Sequence, residues 1–535
     1  MVAMNPQSIA DDIMEIETGG YLLYDSTSML SRKLVRDDIN YIAIPLTSIC
    51  NNHYTEARQR QLFKNIIYLG ALAELLGIEA EVLTGLVTEQ YGTKTQLIES
   101  NFKALNLGRD YVRENIGGEF GLKLARRDSI KDRILMEGNS AIGLGAVYAG
   151  AMVGAWYPIT PSTSVFDAFT KYCEKYRVDP DTGQNNYAII QAEDELAAIG
   201  MVIGANWNGA RAFTATSGPG ISLMNEFIGL AYFAEIPAVI VDVQRGGPST
   251  GMPSRTQQSD LLMVAHASHG DTQHIMLFPS NPKECFDFTV QAFDLADGLQ
   301  TPIFIMSDLD VGMNDGMSDP LEWDESFMMD RGKVKSAADL DAMERFGRYL
   351  DVDGDGIPYR TYPGVHPDKG SFFTRGTTRD EYARYTEHGP TYVANMERLV
   401  KKFENAKKMI PAPSIVDEGN DFGVIFFGST DAPMKEAIDT LRAKGVHLDT
   451  LRVRAFPFQD EVVEFAERHQ RVFVVEQNRD GQLRKLLISD AEIAPKSLVS
   501  ITHYDGSPIT ARFISGAIMN CLDEQKVTPI REMVT

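Results

Sequence analysis

Five short, largely apolar segments alternate with helix-like segments between residues 134 and 310, and this alternation most constrains the fold. The five segments are residues 188–191, 212–216, 238–243, 274–278 and 302–307. Segments that are apolar nearly throughout are typical of strands covered on both faces. Each is separated from the next by a stretch long enough to hold a helix, as in repeated strand–helix–strand units. The pattern predicts a parallel, doubly wound α/β sheet.

The length of 535 residues predicts about three domains. We expect a partial N-terminal domain at residues 1–125, a central domain at 134–410 with a long polar insertion after residue 310, and a smaller α/β domain at 415–535. A charged linker is expected at 126–133.

Shorter patterns predict elements within these domains. The first domain has a strand candidate at 41–49 and an amphipathic helix at 59–76, and the insertion is expected to end in a helix at 392–407. The last domain is predicted to contain strands at 422–427, 447–453 and 472–475 and helices at 434–444 and 460–469. The apolar positions that place the first helix at helical spacing are Leu62, Ile66, Leu69, Leu72 and Leu76.

Charge and cysteine content exclude several classes of function. The net charge of −23 argues against nucleic-acid binding and against docking on anionic membranes, and an anionic ligand would need local basic residues. No apolar run reaches the ~18 residues of a membrane span, and no signal peptide is evident. The four cysteines are far apart, so we expect no iron–sulfur cluster or metal ion in this chain, and reduced thiols in the cytoplasm.

Residues 157–162 read Tyr-Pro-Ile-Thr-Pro-Ser and follow an apolar run at 141–156 that we interpret as a helix. Two prolines would end that helix and fix the loop, and with it the Thr160 hydroxyl. A hydroxyl held in this way suits a small polar ligand. From the spacing alone, an ordinary proline-stiffened helix end is the commoner explanation.

Three further segments carry polar groups at predicted strand or helix ends. Glu193, Asp194 and Glu195 begin a predicted helix, where the helix dipole alone favours acids. A glycine-rich turn at 216–220 follows a predicted strand, and it is neither a Walker loop nor a dinucleotide fingerprint. Arg245 follows another strand, where its guanidinium could bind a carboxylate or form an ordinary salt bridge.

These segments resemble the α subunit of the 2-oxoacid:ferredoxin oxidoreductases, which are thiamine-diphosphate enzymes that form acyl-CoA from a 2-oxo acid. Residues 157–162 match the family's YPITPS motif, and residues 138–139, 193–195, 216–220 and 244–251 match in the family's order. Residues 353–385 look most like the 2-oxoglutarate-using type. The resemblance implies a pyrimidine-type thiamine-diphosphate domain, a transketolase C-terminal-like domain and a partial γ-type N-terminal domain.

The resemblance also implies roles for individual residues. Glu195 would hydrogen-bond the aminopyrimidine ring of the cofactor, with Glu193 as its rival. Arg245 would bind the substrate carboxylate beside Thr160, with Arg255 as the second candidate. The cofactor-binding residues would be Tyr157, Pro158, Ile159, Glu195, Ser217 and Gly218. Lys94 would be a coenzyme A contact, with an ordinary exposed helix lysine as the alternative.

In the family, a β subunit carries the diphosphate-binding motif with Mg²⁺ and a [4Fe–4S] cluster. The Gly-Asp-Gly of this chain lies at 354–356 in an acidic turn. That turn resembles the start of a calcium loop, but Tyr362 stands where the bidentate glutamate would be, so we expect a solvated acidic turn. We therefore expect half of an active site, completed by a β subunit in an (αβ)₂ assembly. The first 40 residues lack the family's glycine-rich turn, which indicates either a shortened γ-type domain or an incomplete chain start.

The predicted function is CoA-dependent oxidation of 2-oxoglutarate to succinyl-CoA and CO₂ with ferredoxin as electron acceptor, or the reverse reaction as in a reductive TCA cycle. Pyruvate-specific or branched-chain-specific relatives share the same motifs. A non-oxidative thiamine-diphosphate transferase or decarboxylase is a second possibility. A non-catalytic scaffold that docks an α/β partner is a third.

Overall fold

The computed structural model describes residues 1–116, 121–127, 129–373 and 376–527. The chain divides into two units, Met1–Lys131 and Asp132–Thr535, which are described separately. Among the described residues, no helix combines the length and the apolar character needed to cross a bilayer.

The first unit contains a small parallel sheet and five helices. Its strands are β1 (Val2–Ala3), β2 (Tyr21–Asp25) and β3 (Asn40–Ile44), paired in that order. Its helices are α1 (Ile9–Glu15), α2 (Leu46–His53), α3 (Ala57–Leu76), α4 (Ala80–Tyr91) and α5 (Thr95–Asn115). The predicted strand at 41–49 is wrong in its second half, because residues from Leu46 onward begin α2.

Helix α3 buries a different face from the one that its apolar spacing predicted. Leu62 is 60% exposed, whereas Ile67, Ala71 and Leu75 are buried. The reason is the close approach of α5: a Cβ at Gly70 would lie 2.0 Å from the Leu105 carbonyl oxygen. Small residues let the two backbones approach, and the large residues of α3 flank that contact instead of filling it.

The second unit is built on a large sheet with surrounding helices. The strands in its first part are β4 (Ile134–Glu137), β5 (Val153–Trp156), β6 (Ala188–Gln191), β7 (Ala212–Thr216), β8 (Ala238–Gln244), β9 (Ile275–Leu277) and β10 (Pro302–Asp308). The helices are α6 (Gly138–Tyr148), α7 (Thr163–Tyr176), α8 (Glu195–Trp207), α9 (Gly218–Ala234), α10 (Leu261–Ala265), α11 (Pro282–Leu299) and α12 (Leu309–Met313).

Six of these strands are parallel and run in the order β9-β10-β8-β7-β5-β6. Every residue of β7, β8 and β10 is buried, so both faces of the sheet are covered there. The predicted parallel, doubly wound α/β fold is confirmed. All five predicted strands are present, with ends that differ by one residue or less.

The single helix predicted over the apolar run at 141–156 is wrong. The run contains the end of α6, a turn and the strand β5, so residues 157–162 follow a strand instead of a helix. Both α6 and β5 are buried on most sides, and an apolar run of this kind has no periodicity that separates a buried helix from a buried strand. The correction moves the loop to the carboxyl edge of the sheet.

The strand order places a topological switch point between β5 and β7. The chain leaves β5 through α7 towards β6 on one side, and it leaves β7 through α9 towards β8 on the other. Connections that diverge from neighbouring parallel strands open a crevice at their carboxyl ends, where ligands bind in sheets of this class. The loop at 157–162 and the turn at 216–220 border that crevice.

The polar insertion after residue 310 is anchored on the sheet by buried charges. It includes β11 (Asp315–Ser318), which pairs antiparallel with β4, and the helices α13 (Ala337–Asp341) and α14 (Gly389–Ala406). Glu235, fully buried at the end of α9, accepts hydrogen bonds from Arg398 and from Lys402. Burial raises the pKa of Glu235, but the neighbouring cations bring it well below the ordinary value.

The last part of the chain forms a second sheet in the order β12-β14-β13-β16-β17. Its strands are β12 (Ser414–Val416), β13 (Phe422–Phe426), β14 (Asp449–Arg452), β16 (Arg471–Glu476) and β17 (Leu498–Thr502), and its helices are α15 (Asp431–Ala443), α16 (Asp460–Arg468), α17 (Gln482–Ser489) and α18 (Ala511–Val527). A further strand, β15 (Ala455–Phe456), joins the large sheet, antiparallel to β9. One hydrophobic core continues from the first sheet to the second.

Candidate active site

The loop at 157–162 is held from two sides. Asn139, fully buried in α6, donates through Nδ2 to the Pro161 carbonyl at 3.0 Å and to Ser164 Oγ at 2.8 Å. Arg245 donates through Nη1 to the Thr160 carbonyl at 2.6 Å. The side chains of Tyr157, Pro158 and Thr160 remain exposed at the carboxyl edge of the sheet, and Ile159 is half-buried. The loop backbone is therefore fixed while its side chains stay available for contact.

Of the three acids before α8, only Glu195 points into the protein. Asp194 caps the helix by accepting from the Ala197 backbone N–H at 2.7 Å, and Glu193 is exposed. Glu195 is 5% exposed, and no hydrogen-bond donor within the described ranges reaches its carboxylate. A carboxylate in a mostly buried position is costly unless a neighbouring cation or a ligand compensates its charge. Burial thus separates Glu195 from its rival.

The glycine-rich turn makes room for carboxyl groups. A Cβ at Gly220 would lie 1.9 Å from Thr216 Oγ1 and 2.8 Å from Glu195 Cγ. A Cβ at Gly218 would lie 2.7 Å from each carboxylate oxygen of Asp260. Ser217, between β7 and α9, is fully buried, and its hydroxyl has no partner in the part of the chain that is described. The turn shapes a polar pocket at the start of α9.

Arg245 joins these groups. It is 7% exposed, and it interacts electrostatically with Asp260 and with Glu195. Burial lowers the pKa of Arg245, and the two carboxylates oppose that shift. Its Nε finds no acceptor among the described residues. Thr160, Glu195 and Arg245, which are far apart in the sequence, therefore meet at one edge of the sheet.

Arg245 and Asp260 line an open cleft of about 710 Å³, which we call the central cleft. Its other walls come from the start of α9 and from the second sheet, with lining residues that include Gly218, Ser222, Asn478, Gln482 and Tyr504. Arg255 does not line the central cleft. Its side chain is exposed and lies against Gly506. The geometry therefore favours Arg245 over Arg255 as the group that meets a ligand in the cleft.

Sequence reasoning assigned no catalytic residue to the last domain, yet residues 477–482 form one wall of the central cleft. Gln258 links the two sheets: its backbone N–H donates to the Gln477 carbonyl at 2.7 Å, and its carbonyl accepts from Asn478 Nδ2 at 2.9 Å. Its side-chain amide donates to Asp308 Oδ2 at 3.2 Å. Contacts between segments 219 residues apart leave no local signal, so spacing could not reveal this wall.

A second omission is the buried carboxyl pair of Asp242 and Asp260. Asp242 lies in β8 and is fully buried, and Asp260 immediately precedes α10. The two carboxyl groups lie within reach of a shared proton. The available signal was an aspartate inside an otherwise apolar strand, which is an unusual place for an unpaired charge.

The acidic turn is neutralised by a lysine instead of being simply solvated. Lys333 Nζ lies 2.7 Å from Asp353 Oδ2 and 2.8 Å from Asp355 Oδ1, and it donates to the Ile357 carbonyl at 3.0 Å. Counted from Asp351, these are three of the ligand positions of a calcium loop. The ammonium group therefore occupies the place that a cation would take there. Within the described residues, no group of three His, Cys, Asp or Glu side chains is arranged to hold a metal ion.

Lys94 belongs to the first unit. It immediately precedes α5 and its side chain is exposed, as an ordinary surface lysine would be. Cys50, Cys173 and Cys285 are free thiols, and all three are buried.

Protein-family profiles match three consecutive parts of the chain. The profile described as "Pyruvate flavodoxin/ferredoxin oxidoreductase, thiamine diP-bdg" matches residues 144–405. The profile "Pyruvate ferredoxin/flavodoxin oxidoreductase" matches residues 1–111, and "Pyruvate:ferredoxin oxidoreductase core domain II" matches residues 420–512.

Individual proteins agree with these matches. The 2-oxoacid:ferredoxin oxidoreductase 2, subunit alpha, of Aeropyrum pernix is 34% identical over 476 residues, which cover 86% of this chain and 72% of that protein. The 2-oxoglutarate synthase subunit KorA of Methanocaldococcus jannaschii is 36% identical over 357 residues, which cover 64% of this chain and 88% of that protein.

A solved structure has the same fold over nearly the whole chain. The 2-oxoglutarate:ferredoxin oxidoreductase of Magnetococcus marinus, solved with 2-oxoglutarate, coenzyme A and succinyl-CoA bound, superposes with a TM-score of 0.84 at 26% identity. The superposition covers 97% of this chain and 87% of that one. Together with the profiles and the identities above, this shows that the chain belongs to the α-subunit family of the 2-oxoacid:ferredoxin oxidoreductases, and thus to a family of oxidoreductases.

Proposed function

We propose that this chain is the α subunit of a CoA-acylating oxidoreductase that converts 2-oxoglutarate to succinyl-CoA and CO₂ with ferredoxin as electron acceptor. One observation carries the proposal. At the switch point of the sheet, the buried Arg245 binds the Thr160 backbone and lies within electrostatic range of the buried Glu195. A cation that can bind a carboxylate and an acid that can hydrogen-bond a heterocycle are thus placed side by side.

The residues fit the pyrimidine half of thiamine diphosphate. Glu195 offers a mostly buried carboxyl group beside Arg245, and Ser217 offers a buried hydroxyl without a hydrogen-bond partner in the described residues. When bound, the cofactor supplies an electron sink for the bond to the departing carboxylate. Glu195 would exchange a proton with the pyrimidine ring, and a buried position keeps that proton away from water. Tyr157, Pro158, Ile159 and Gly218 would border the ring.

Arg245 would bind and orient the substrate. A guanidinium pairs with a carboxylate through two parallel hydrogen bonds, which fixes orientation as well as affinity. The bond from Nη1 to the Thr160 carbonyl fixes the guanidinium, and Nε has no partner in the described residues. Thr160 itself is exposed, so its hydroxyl would be available to the same substrate. We assign only secondary roles to Arg255, as a substrate contact, and to Lys94, as a coenzyme A contact.

The partner in this proposal is a β subunit that carries Mg²⁺, the diphosphate-binding motif and a [4Fe–4S] cluster, in an (αβ)₂ assembly in the cytoplasm. Apolar side chains beside the site support a docking surface. Tyr157 is 37% exposed, Ile190 of β6 is 40% exposed, and Leu196 of α8 and Leu223 of α9 are 39% and 56% exposed. We also keep the division into domains at 1–125, 134–410 and 415–535 as part of the proposal.

The substrate assignment rests on relatives named for 2-oxoglutarate. The test is dye reduction by the co-purified complex, with and without coenzyme A, using 2-oxoglutarate, pyruvate and a branched-chain 2-oxo acid. We expect CoA-dependent reduction with 2-oxoglutarate at the highest kcat/KM. Reduction that is fastest with pyruvate would overturn the substrate assignment, and turnover without electron transfer to the dye would indicate a non-oxidative enzyme.

The matched variants are Arg245→Met and Arg255→Met. Removing Arg245 leaves the substrate carboxylate unpaired in a mostly buried site, which costs about 1.5–3 kcal/mol and lowers kcat/KM by about 10- to 100-fold. Removing the exposed Arg255 should change kcat/KM by less than about threefold, since exposed ion pairs contribute little. A value for Arg245→Met within twofold of wild type contradicts the assignment.

A further inference from the structure

The carboxyl groups of Asp242 and Asp260 contact each other without a hydrogen-bond donor between them. Within the described residues, neither oxygen of Asp242 and not Oδ2 of Asp260 receives a hydrogen bond, and all three atoms are buried. Two ionised carboxylates in contact repel each other strongly in a buried site. A proton between them supplies the missing donor, so the geometry requires the pair to hold at least one proton.

The pair is connected to the substrate cleft through Asp260. Asp260 and Arg245 both line the central cleft, and Arg245 is attracted electrostatically to Asp260. The ionised form of Asp260 would compete with a ligand carboxylate for the guanidinium and would repel that ligand. The neutral form would do neither. The charge of Asp260 therefore decides how strongly Arg245 attracts an anion.

We propose that Asp242 and Asp260 share a proton, and that protonation of Asp260 frees Arg245 to bind the carboxylate of the 2-oxo acid. Binding of the anion then draws a proton onto the pair. This inference rests on the proposed function of Arg245. Asp260 acts through Arg245, so it is a positioning residue that makes substrate affinity depend on pH.

The surroundings of Asp260 support a proton at neutral pH. Burial raises the pKa of Asp260 to about 7, against the opposing effects of Asp242 and Arg245. Burial and the neighbouring Asp260 hold the pKa of Asp242 well above its ordinary value. The other charged groups that border the site are Glu195 from α8 and, across the central cleft, Arg479 with Asp480, which form an exposed ion pair. None of these places a second cation against Asp260.

The test is equilibrium binding of 2-hydroxyglutarate, which has the same carboxylates as 2-oxoglutarate but no oxo group to react. It is titrated into the assembled complex between pH 6 and 9, with calorimetry in two buffers of different ionisation enthalpy to count protons. For the wild type we expect the affinity to fall about tenfold per pH unit above pH 7 or so, with uptake approaching one proton per ligand. Asp260→Asn should bind with the same affinity at every pH and take up no proton.

Two further variants separate the possible outcomes. Asp480→Asn removes an exposed carboxylate from the same cleft, and it should keep the wild-type pH slope. Asp242→Leu removes the carboxyl group that lowers the pKa of Asp260, so it should move the fall in affinity to higher pH, which tests the pair even if Asp260→Asn does not fold. An unchanged slope in Asp260→Asn, or wild-type binding without proton uptake, would overturn the inference. If Arg245→Met binds the ligand as well as wild type does, the proposed function itself fails instead.

Discussion

Replacing Gly220 by alanine tests whether the start of α9 is shaped around Glu195. The added Cβ would lie 1.9 Å from Thr216 Oγ1 and 2.8 Å from Glu195 Cγ. An ordinary contact needs about 3.5 Å, so Thr216 must retreat by about 1.6 Å and Glu195 by about 0.7 Å. Both side chains are buried, and Thr216 belongs to a strand with every residue buried, so neither can rotate into open space.

Two opposing terms set the effect on stability. Overpacking in a buried site costs about 1–3 kcal/mol, while replacing glycine in a helix contributes about 1 kcal/mol of stability. We expect a net loss of about 0–2 kcal/mol, which leaves the protein folded. The effect on the cofactor is larger, because a catalytic group displaced by about 1 Å can cost 100-fold in rate.

The assay is titration of thiamine diphosphate into the assembled complex, with thermal unfolding measured in parallel. We expect Gly220→Ala to weaken cofactor binding at least tenfold while its Tm changes little. The control is Gly204→Ala in α8, an exposed helical position where an added Cβ meets nothing within 4 Å. This control should bind normally and should be slightly more stable. Normal cofactor affinity in Gly220→Ala would refute the placement of Glu195 against the cofactor.

Two further predictions concern charged groups away from the site. Lys333→Ala removes the ammonium group from the acidic turn, and the vacated carboxylates follow a calcium-loop spacing. Millimolar Ca²⁺ should therefore raise the Tm of this variant but not the Tm of wild type. Equal Tm values of the variant with and without Ca²⁺ would contradict the comparison with such a loop. His274 is buried, and burial lowers its pKa to about 4, so the folded state resists the proton that the unfolded state accepts below about pH 6.5. The free energy of unfolding should fall by about 3 kcal/mol in total as the pH drops from 6.5 towards 4. Denaturant unfolding of His274→Gln should show a weaker loss over the same range. The control His269→Gln, at an exposed position, should behave like wild type.

Alternation of apolar segments was sufficient to predict the central sheet, because strands buried on both faces differ in length and composition from the helices between them. The segment at 141–156 shows where that reasoning stops. Burial on most sides removes the periodicity by which a helix and a strand are distinguished. Helix α3 shows a second limit: the contact of Gly70 with the backbone of α5 decides which face is buried, and that contact lies 35 residues away in the sequence.

The candidate site likewise contains residues that local sequence patterns indicate and contacts that only the folded chain brings together. Glu195 begins a predicted helix and Arg245 follows a predicted strand, so their positions at the carboxyl edge of the sheet could be anticipated from sequence. The sequence predicts a helix before Thr160, and only the strand β5 places that residue at the same edge. The wall at 477–482 and the pairing of Asp242 with Asp260 depend on contacts between distant segments. The lysine within the acidic turn is similar, since Lys333 lies 20 residues before Asp353 and no spacing rule connects them.

The short strand β15 covers an edge of the first sheet and so connects the last part of the chain to that sheet. It extends the first sheet although it belongs to the last part of the chain, and it covers the outer edge of β9 with antiparallel hydrogen bonds. Deleting residues 415–535 would uncover that edge, and an uncovered apolar strand is a template for self-association. The last part of the chain is therefore held on the first sheet both at β9 and through Gln258, so the wall of the central cleft at 477–482 is fixed to the sheet that carries Arg245 before any ligand binds.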